Sequence, residues 1–151
     1  QISISASFDM SRPDNRVEYD IWYSSSNDLA LDFIQDFMKL DHRLGEGALM
    51  TPRFVFWICE NCEDEFMQAN CFGGGKYCAT DSGNAKIPGS SIVLEDLRQM
   101  CIYKKSYEKP ETRKLFWDYI KTVHSRCDQV LNEPCSINAH KEVAGLKWAE
   151  T

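Results

Sequence analysis

The chain has 151 residues, a formal net charge of -6 and seven cysteines. Its length allows one modest domain plus at most the edge of another. The acidic balance, with a pI near 5.1, excludes nucleic-acid binding, which needs a basic face. No apolar run reaches the roughly 18 residues of a membrane span.

Ile2, Ile4, Ala6 and Phe8 alternate with serines, a period of two that predicts a half-buried strand. No secretory signal precedes it, so the chain is expected to begin in mid-protein. Ser11 to Asn15, with Pro13, reads as a linker. Val17, Tyr19, Ile21 and Tyr23 predict a second strand. Helix N-caps follow in Ser24 to Asp28. Leu29, Phe33, Phe37 and Leu40, widened by Ile34, Met38 and Leu44, form an apolar stripe at helical spacing, and Gly45 and Gly47 end it. The run Phe54 to Ile58 predicts a strand buried on both faces, as in a parallel sheet. These elements make a β-α-β unit with a right-handed crossover.

Glu60 to Asn70 then predicts a helix, and Cys71 to Gly89 a loop. A helix is expected from about Ser91 to Lys104. Another has Pro110 in its first turn and Leu115, Phe116, Tyr119, Ile120 and Val123 on one face. A short helix over Ser136 to Lys147 closes the chain. Trp117, Phe116 and Tyr119 read as core, and His42, His124 and His140 as scattered surface histidines. Asp81-Ser82-Gly83-Asn84 reads as a turn, because it lacks the spacing of a calcium loop. The run from Gly73 to Gly75 is a backbone bend and not a phosphate loop.

The cysteines stand at 59, 62, 71, 78, 101, 127 and 135. Their irregular spacing does not fit a zinc ribbon or knuckle, so disulfides are expected and no metal or cofactor. Cys71 with Cys78 and Cys127 with Cys135 are possible local pairs. Cys101 would pair with the Cys59/Cys62 region or with a residue outside the chain. The motif Cys59-Glu60-Asn61-Cys62 is the one candidate for catalysis. A cysteine delivered by a buried strand to a helix N-terminus gains thiolate character, with Cys59 as nucleophile and Cys62 as resolving thiol. Against this, Glu60, Glu63, Asp64 and Glu65 oppose a nearby thiolate. No proline stands where a thioredoxin-type cis-proline would face the dithiol. A structural disulfide at Cys59 or Cys62 is the competing reading.

Several segments together resemble the central region of vacuolar sorting receptors. They are Arg16-Val17-Glu18-Tyr19-Asp20-Ile21-Trp22 with Ser26-Asn27-Asp28, then Trp57-Ile58-Cys59, then Cys71 with Gly75-Lys76-Tyr77-Cys78-Ala79-Thr80-Asp81. Leu97-Arg98-Gln99-Met100-Cys101, Trp117-Asp118-Tyr119 and Arg126-Cys127 continue the likeness, which runs from about Asp9 to His140. The resemblance implies an α/β, thioredoxin-like β-α-β core with a helical, disulfide-linked extension and an incomplete sheet. Residues 1–10 would be the last strand of a preceding protease-associated domain. Residues 11–151 would be the thioredoxin-like domain, with the later half of that fold beyond the chain. Two places depart from the family pattern: Cys62 is an added cysteine, and Phe72-Gly73-Gly74 replaces a more polar loop.

The resemblance further implies a protein-binding module of a type I membrane receptor. Its partner would be another protein or a soluble cargo, and its anchor a span outside this chain. It would work in the endomembrane lumen (Golgi, prevacuolar compartment or vacuole) or at the cell surface. The alternatives are a thiol–disulfide oxidoreductase using Cys59 and Cys62, or a structural subunit of a membrane-associated assembly.

Overall fold

A computed structural model describes residues 15–79, 87–127, 130–143 and 145–146. The strand expected over Ile2 to Phe8 and the turn at Asp81 to Asn84 lie outside them.

Strand β1 (Val17–Tyr23) and strand β2 (Ala48–Phe54) pair in parallel, from Val17↔Ala48 to Tyr23↔Phe54. Helix α1 (Asp28–Leu44) connects them. A parallel pair needs such a crossover, because no tight turn can reverse the chain twice. Asn27 caps α1: its side chain accepts a hydrogen bond from the Ala30 amide at 2.9 Å. At the other end Gly45, with φ of 54°, stops the helix through its amide bond to the Asp41 carbonyl. The expected β-α-β unit is therefore present, within a mixed α/β and mainly helical chain.

The second strand lies earlier than the sequence pattern predicts. The predicted strand Phe54 to Ile58 is incorrect: the strand is Ala48–Phe54, and the apolar run after it leaves the sheet. Val55 is 56 % exposed and Ile58 67 % exposed. The ladder ends because β1 ends, at the turn in which the Asn27 amide bonds to the Ser24 carbonyl. Beyond Phe54 one backbone bond remains, from the Val55 amide to the Tyr23 carbonyl at 3.3 Å, and the chain then leaves that sheet. Pro52 is inside β2 opposite Ile21, a position open to proline because, among the described residues, only one side of β2 is paired.

Helix α2 (Asp64–Asn70) follows, then a small hairpin of β3 (Cys71–Phe72) and β4 (Tyr77–Cys78) where a loop was expected. Helices α3 (Gly89–Ser106), α4 (Lys114–Cys127) and α5 (Glu133–Glu142) complete the described chain, with Pro110 in a short 3-10 turn before α4. The main core joins Tyr23, Leu31, Ile34 and Met50 to Ile92 and Ile102 of α3 and to Phe116, Trp117, Tyr119 and Ile120 of α4. The aromatic cluster of α4 is thus core, as its spacing predicts.

Two helices bury faces other than those the apolar pattern favours. In α1 the buried residues are Leu31, Ile34 and Asp41, while Leu29, Phe33, Leu40 and Leu44 face solvent. In α3, Glu95, Asp96 and Gln99 are buried, while Leu94 and Leu97 are exposed. Buried polar groups need partners, and here they make a network. Glu95 accepts from Arg98 (2.7 Å), Ser136 (2.6 Å), Tyr119 (3.3 Å) and Gln99 (3.1 Å). Gln99 in turn accepts from the Tyr23 hydroxyl at 2.7 Å. His140, expected at the surface, is also buried, and burial together with the charge of Arg98 lowers its pKa.

Candidate functional site

Cys59 does not sit on the main sheet. Its amide donates to the Gly75 carbonyl at 2.8 Å, and Trp57 exchanges two backbone hydrogen bonds with Cys78, at 3.1 and 3.0 Å. The segment after β2 therefore runs antiparallel beside the β3–β4 hairpin and seats Cys59 against Cys71 and Cys78. Gly75 is required at this contact. Its φ is +86°, and an added Cβ would meet the Cys59 carbonyl oxygen at 2.7 Å. The expected helix-tip position of Cys59 is incorrect: α2 is capped by Glu63, four residues later. The helix dipole falls off within a turn, so it gives Cys59 no thiolate stabilisation.

Two disulfides meet at this point, Cys59–Cys62 and Cys71–Cys78. The sulfurs of Cys59, Cys71 and Cys78 all lie within 4.8 Å of one another. These three cysteines are buried as a cluster separate from the main core, with Cys62, Phe66 and Met67 packed on it. Cys62 is the more accessible member, and the residues around it, Glu60, Asn61, Glu63, Asp64 and Glu65, are exposed. Sulfur bound in a disulfide is not a metal-binding thiolate, so in this oxidised form the nest is covalent structure. Asn70 ties the nest to the rest of the molecule. Its backbone carbonyl accepts from the Ala79 amide at 3.1 Å, and its side-chain oxygen accepts from the Gly89 amide at the start of α3, at 2.9 Å.

The third disulfide, Cys127–Cys135, joins the end of α4 to the first turn of α5. Cys101 is not in a disulfide; it is a free thiol in the middle of α3. The other six cysteines pair over 3, 7 and 8 positions of sequence. Short-range pairing leaves the isolated helical cysteine over.

A second surface feature is apolar. Leu29, Phe33, Leu40 and Leu44 follow one another at spacings of 4, 7 and 4 along α1, so they form a stripe on the side opposite the core. Leu29 is 82 % exposed. The apolar stripe read from the sequence divides in the fold: Ile34, Phe37 and Met38 pack on the core, while Leu29, Phe33, Leu40 and Leu44 face solvent. Among the described residues, no helix is long and apolar enough to cross a membrane.

The comparisons with known proteins agree on one family. The model for the vacuolar sorting receptor thioredoxin-like domain matches residues 17–149. The chain is 30 % identical to Vacuolar-sorting receptor 1 of Pisum sativum over 147 residues, covering 87 % of this chain and 23 % of that protein. It is 32 % identical to Vacuolar-sorting receptor 5 of Arabidopsis thaliana over 128 residues, 76 % of this chain and 21 % of that protein. The match to Vacuolar-sorting receptor 7 of Arabidopsis thaliana is similar, 31 % over 128 residues, 76 % of this chain and 20 % of that protein. The chain thus spans about a fifth to a quarter of the length of these relatives. No solved structure matches. With a family model covering residues 17–149 and relatives of about 30 % identity over most of its length, this chain belongs to the vacuolar sorting receptor thioredoxin-like domain family.

Proposed function

We propose that this domain is a lumenal protein-binding module of a sorting receptor, and that the α1 stripe is the surface with which it holds a soluble protein cargo. The family match over residues 17–149 carries the reading. The relatives are named as vacuolar-sorting receptors, and a sorting receptor must grip other proteins. Three disulfides fit an oxidising lumen between Golgi and vacuole or at the cell surface. The membrane anchor would be a span elsewhere in the longer protein.

Apolar residues in one line on a helix, with Asp28, Asp32, Asp36 and Lys39 beside them, have the make-up of a protein-binding patch with a polar rim. The test uses the full-length protein. Phe33→Asp with Leu40→Asp changes two solvent-facing positions and should leave folding intact. Cargo bound by the purified lumenal part should drop at least tenfold, and soluble vacuolar protein should appear outside the cell. Unchanged cargo binding in this variant would remove the stripe from the proposal. Normal cargo delivery in cells lacking the protein would remove the sorting role.

A further inference from the structure

We propose that Cys59, Cys62, Cys71 and Cys78 form one thiol–disulfide exchange centre, in which a small thiol entering at Cys62 moves the hairpin bridge onto Cys59. This inference goes beyond cargo binding and does not depend on it. Three buried sulfurs and that of the partly exposed Cys62 converge from three short segments, and Cys59 is within 4.8 Å of both hairpin sulfurs. Cys59, Cys71 and Cys78 are buried and Cys62 is the accessible member, so an external reductant meets Cys62 first. The backbone contact of Cys59 with Gly75 holds the internal nucleophile against its target.

The exchange balances with two molecules of external thiol. The first, as thiolate, attacks the Cys62 sulfur. The Cys59–Cys62 bond breaks, a mixed disulfide forms on Cys62, and the electron pair leaves on Cys59. The Cys59 thiolate then attacks one sulfur of the Cys71–Cys78 bridge. A new disulfide joins Cys59 to that hairpin cysteine, and the other hairpin cysteine leaves as thiolate and takes a proton from solvent. A second external thiolate attacks the mixed disulfide and releases Cys62 as thiol. In total, two thiols are oxidised to one disulfide, and the centre gains two electrons with its remaining bridge relocated. The exposed carboxylates Glu60, Glu63, Asp64 and Glu65 surround the entry, so the external thiol that fits is cationic.

The bridge can be mapped because the sequence separates the four cysteines. Cleavage after Arg53, Glu60, Glu63, Glu65, Lys76 and Lys86 puts each of them on its own peptide. The full chain carrying Cys101→Ser is treated, folded, with cysteamine until two electrons have been taken up. It is then trapped with N-ethylmaleimide and digested with trypsin and a glutamate-specific protease. The expected main species links the Cys59 peptide to that of Cys71 or Cys78, with Cys62 alkylated. A two-electron form that keeps Cys71–Cys78 and has both Cys59 and Cys62 alkylated would overturn the proposal. A second variant, Cys59→Ser with Cys101→Ser, should keep its hairpin bridge at least tenfold longer than the parent in the same cysteamine. Equal rates of hairpin opening would show that the thiol reaches that bridge directly, and would also overturn it.

Discussion

The indole Nε1 of Trp117 on α4 donates to Asp41 Oδ2 on α1 at 2.9 Å, between two buried side chains. The same carboxylate accepts from the Tyr19 hydroxyl of β1 at 2.6 Å. One acidic group thereby joins the first strand, the crossover helix and the core helix, and it explains why α1 turns Asp41 inward. Trp117→Phe keeps much of the packing but withdraws one donor from a buried carboxylate. The expected loss is about 1–3 kcal/mol, seen as a lower urea midpoint at unchanged slope. Asp41→Ala should cost more, since it strands two donors. A double-mutant cycle between the two positions should show coupling of at least about 0.5 kcal/mol; additivity would mean that the contact does not set the helix orientation.

The sequence made β1 and α1 legible because alternation and capping are local signals. It did not make β2 legible. A continuous apolar run draws the strand toward Phe54 to Ile58, whereas pairing of Val17 with Ala48 fixes it earlier and includes Pro52. The helix faces escaped for a related reason. Apolar periodicity marks Leu29 and Phe33 in α1, but the polar contacts of Asp41 decide which side turns inward. The Cys-x-x-Cys was plain to read. Its meeting with the hairpin was not, because that depends on the positive-φ backbone at Gly73, Gly74 and Gly75.

Asp96 is buried in α3, with Oδ1 accepting from the Ser25 amide at 2.9 Å and Oδ2 lacking a partner among the described residues. Burial raises its pKa from 3.8 to about 7. Between those values the folded chain holds a proton that the unfolded chain has released. This contribution to stability is therefore full below the unfolded pKa and is lost as pH rises through about 7. His140, with its pKa lowered by burial, acts in the opposite sense: its contribution is present above its unfolded pKa and falls as pH drops. Asp96→Asn removes one of the two. Relative to the parent, the variant should gain on the order of 2–4 kcal/mol between pH 4.5 and pH 8, followed as the difference in unfolding free energy. A constant difference across that range would show that Asp96 does not titrate there.

Gly89 begins α3 against the end of the hairpin segment, where an added Cβ would meet the Ala79 carbonyl oxygen at 1.8 Å. Backbone on both sides prevents easy relief, so Gly89→Ala should cost about 3 kcal/mol or more. Gly47→Ala is the control, since no atom lies within 4 Å of its added Cβ, and it should change stability by less than about 0.5 kcal/mol. Thermal melts of the two variants beside the parent decide the matter. Equal melting temperatures would mean that the Ala79–Gly89 contact is not maintained in solution.

The Cys127–Cys135 bridge has a sequence separation of 8 and fastens α5 to the end of α4. Beside it, Arg126 forms an ion pair with Glu142 at 2.6 Å. α5 also supplies Ser136, whose hydroxyl donates to Glu95 at 2.6 Å. Loss of the bridge therefore frees a helix that satisfies a buried charge. Loop-closure entropy for a ring of this size is about 2–3 kcal/mol, so Cys127→Ala with Cys135→Ala should lower stability by about that amount. Cys101→Ser, which breaks no bridge, should leave it nearly unchanged. The ion pair is half-exposed and adds little, so Arg126→Gln should shift stability by less than about 1 kcal/mol. If hydrogen exchange in α5 stayed as slow without the bridge as with it, the Glu95 network alone would be holding that helix.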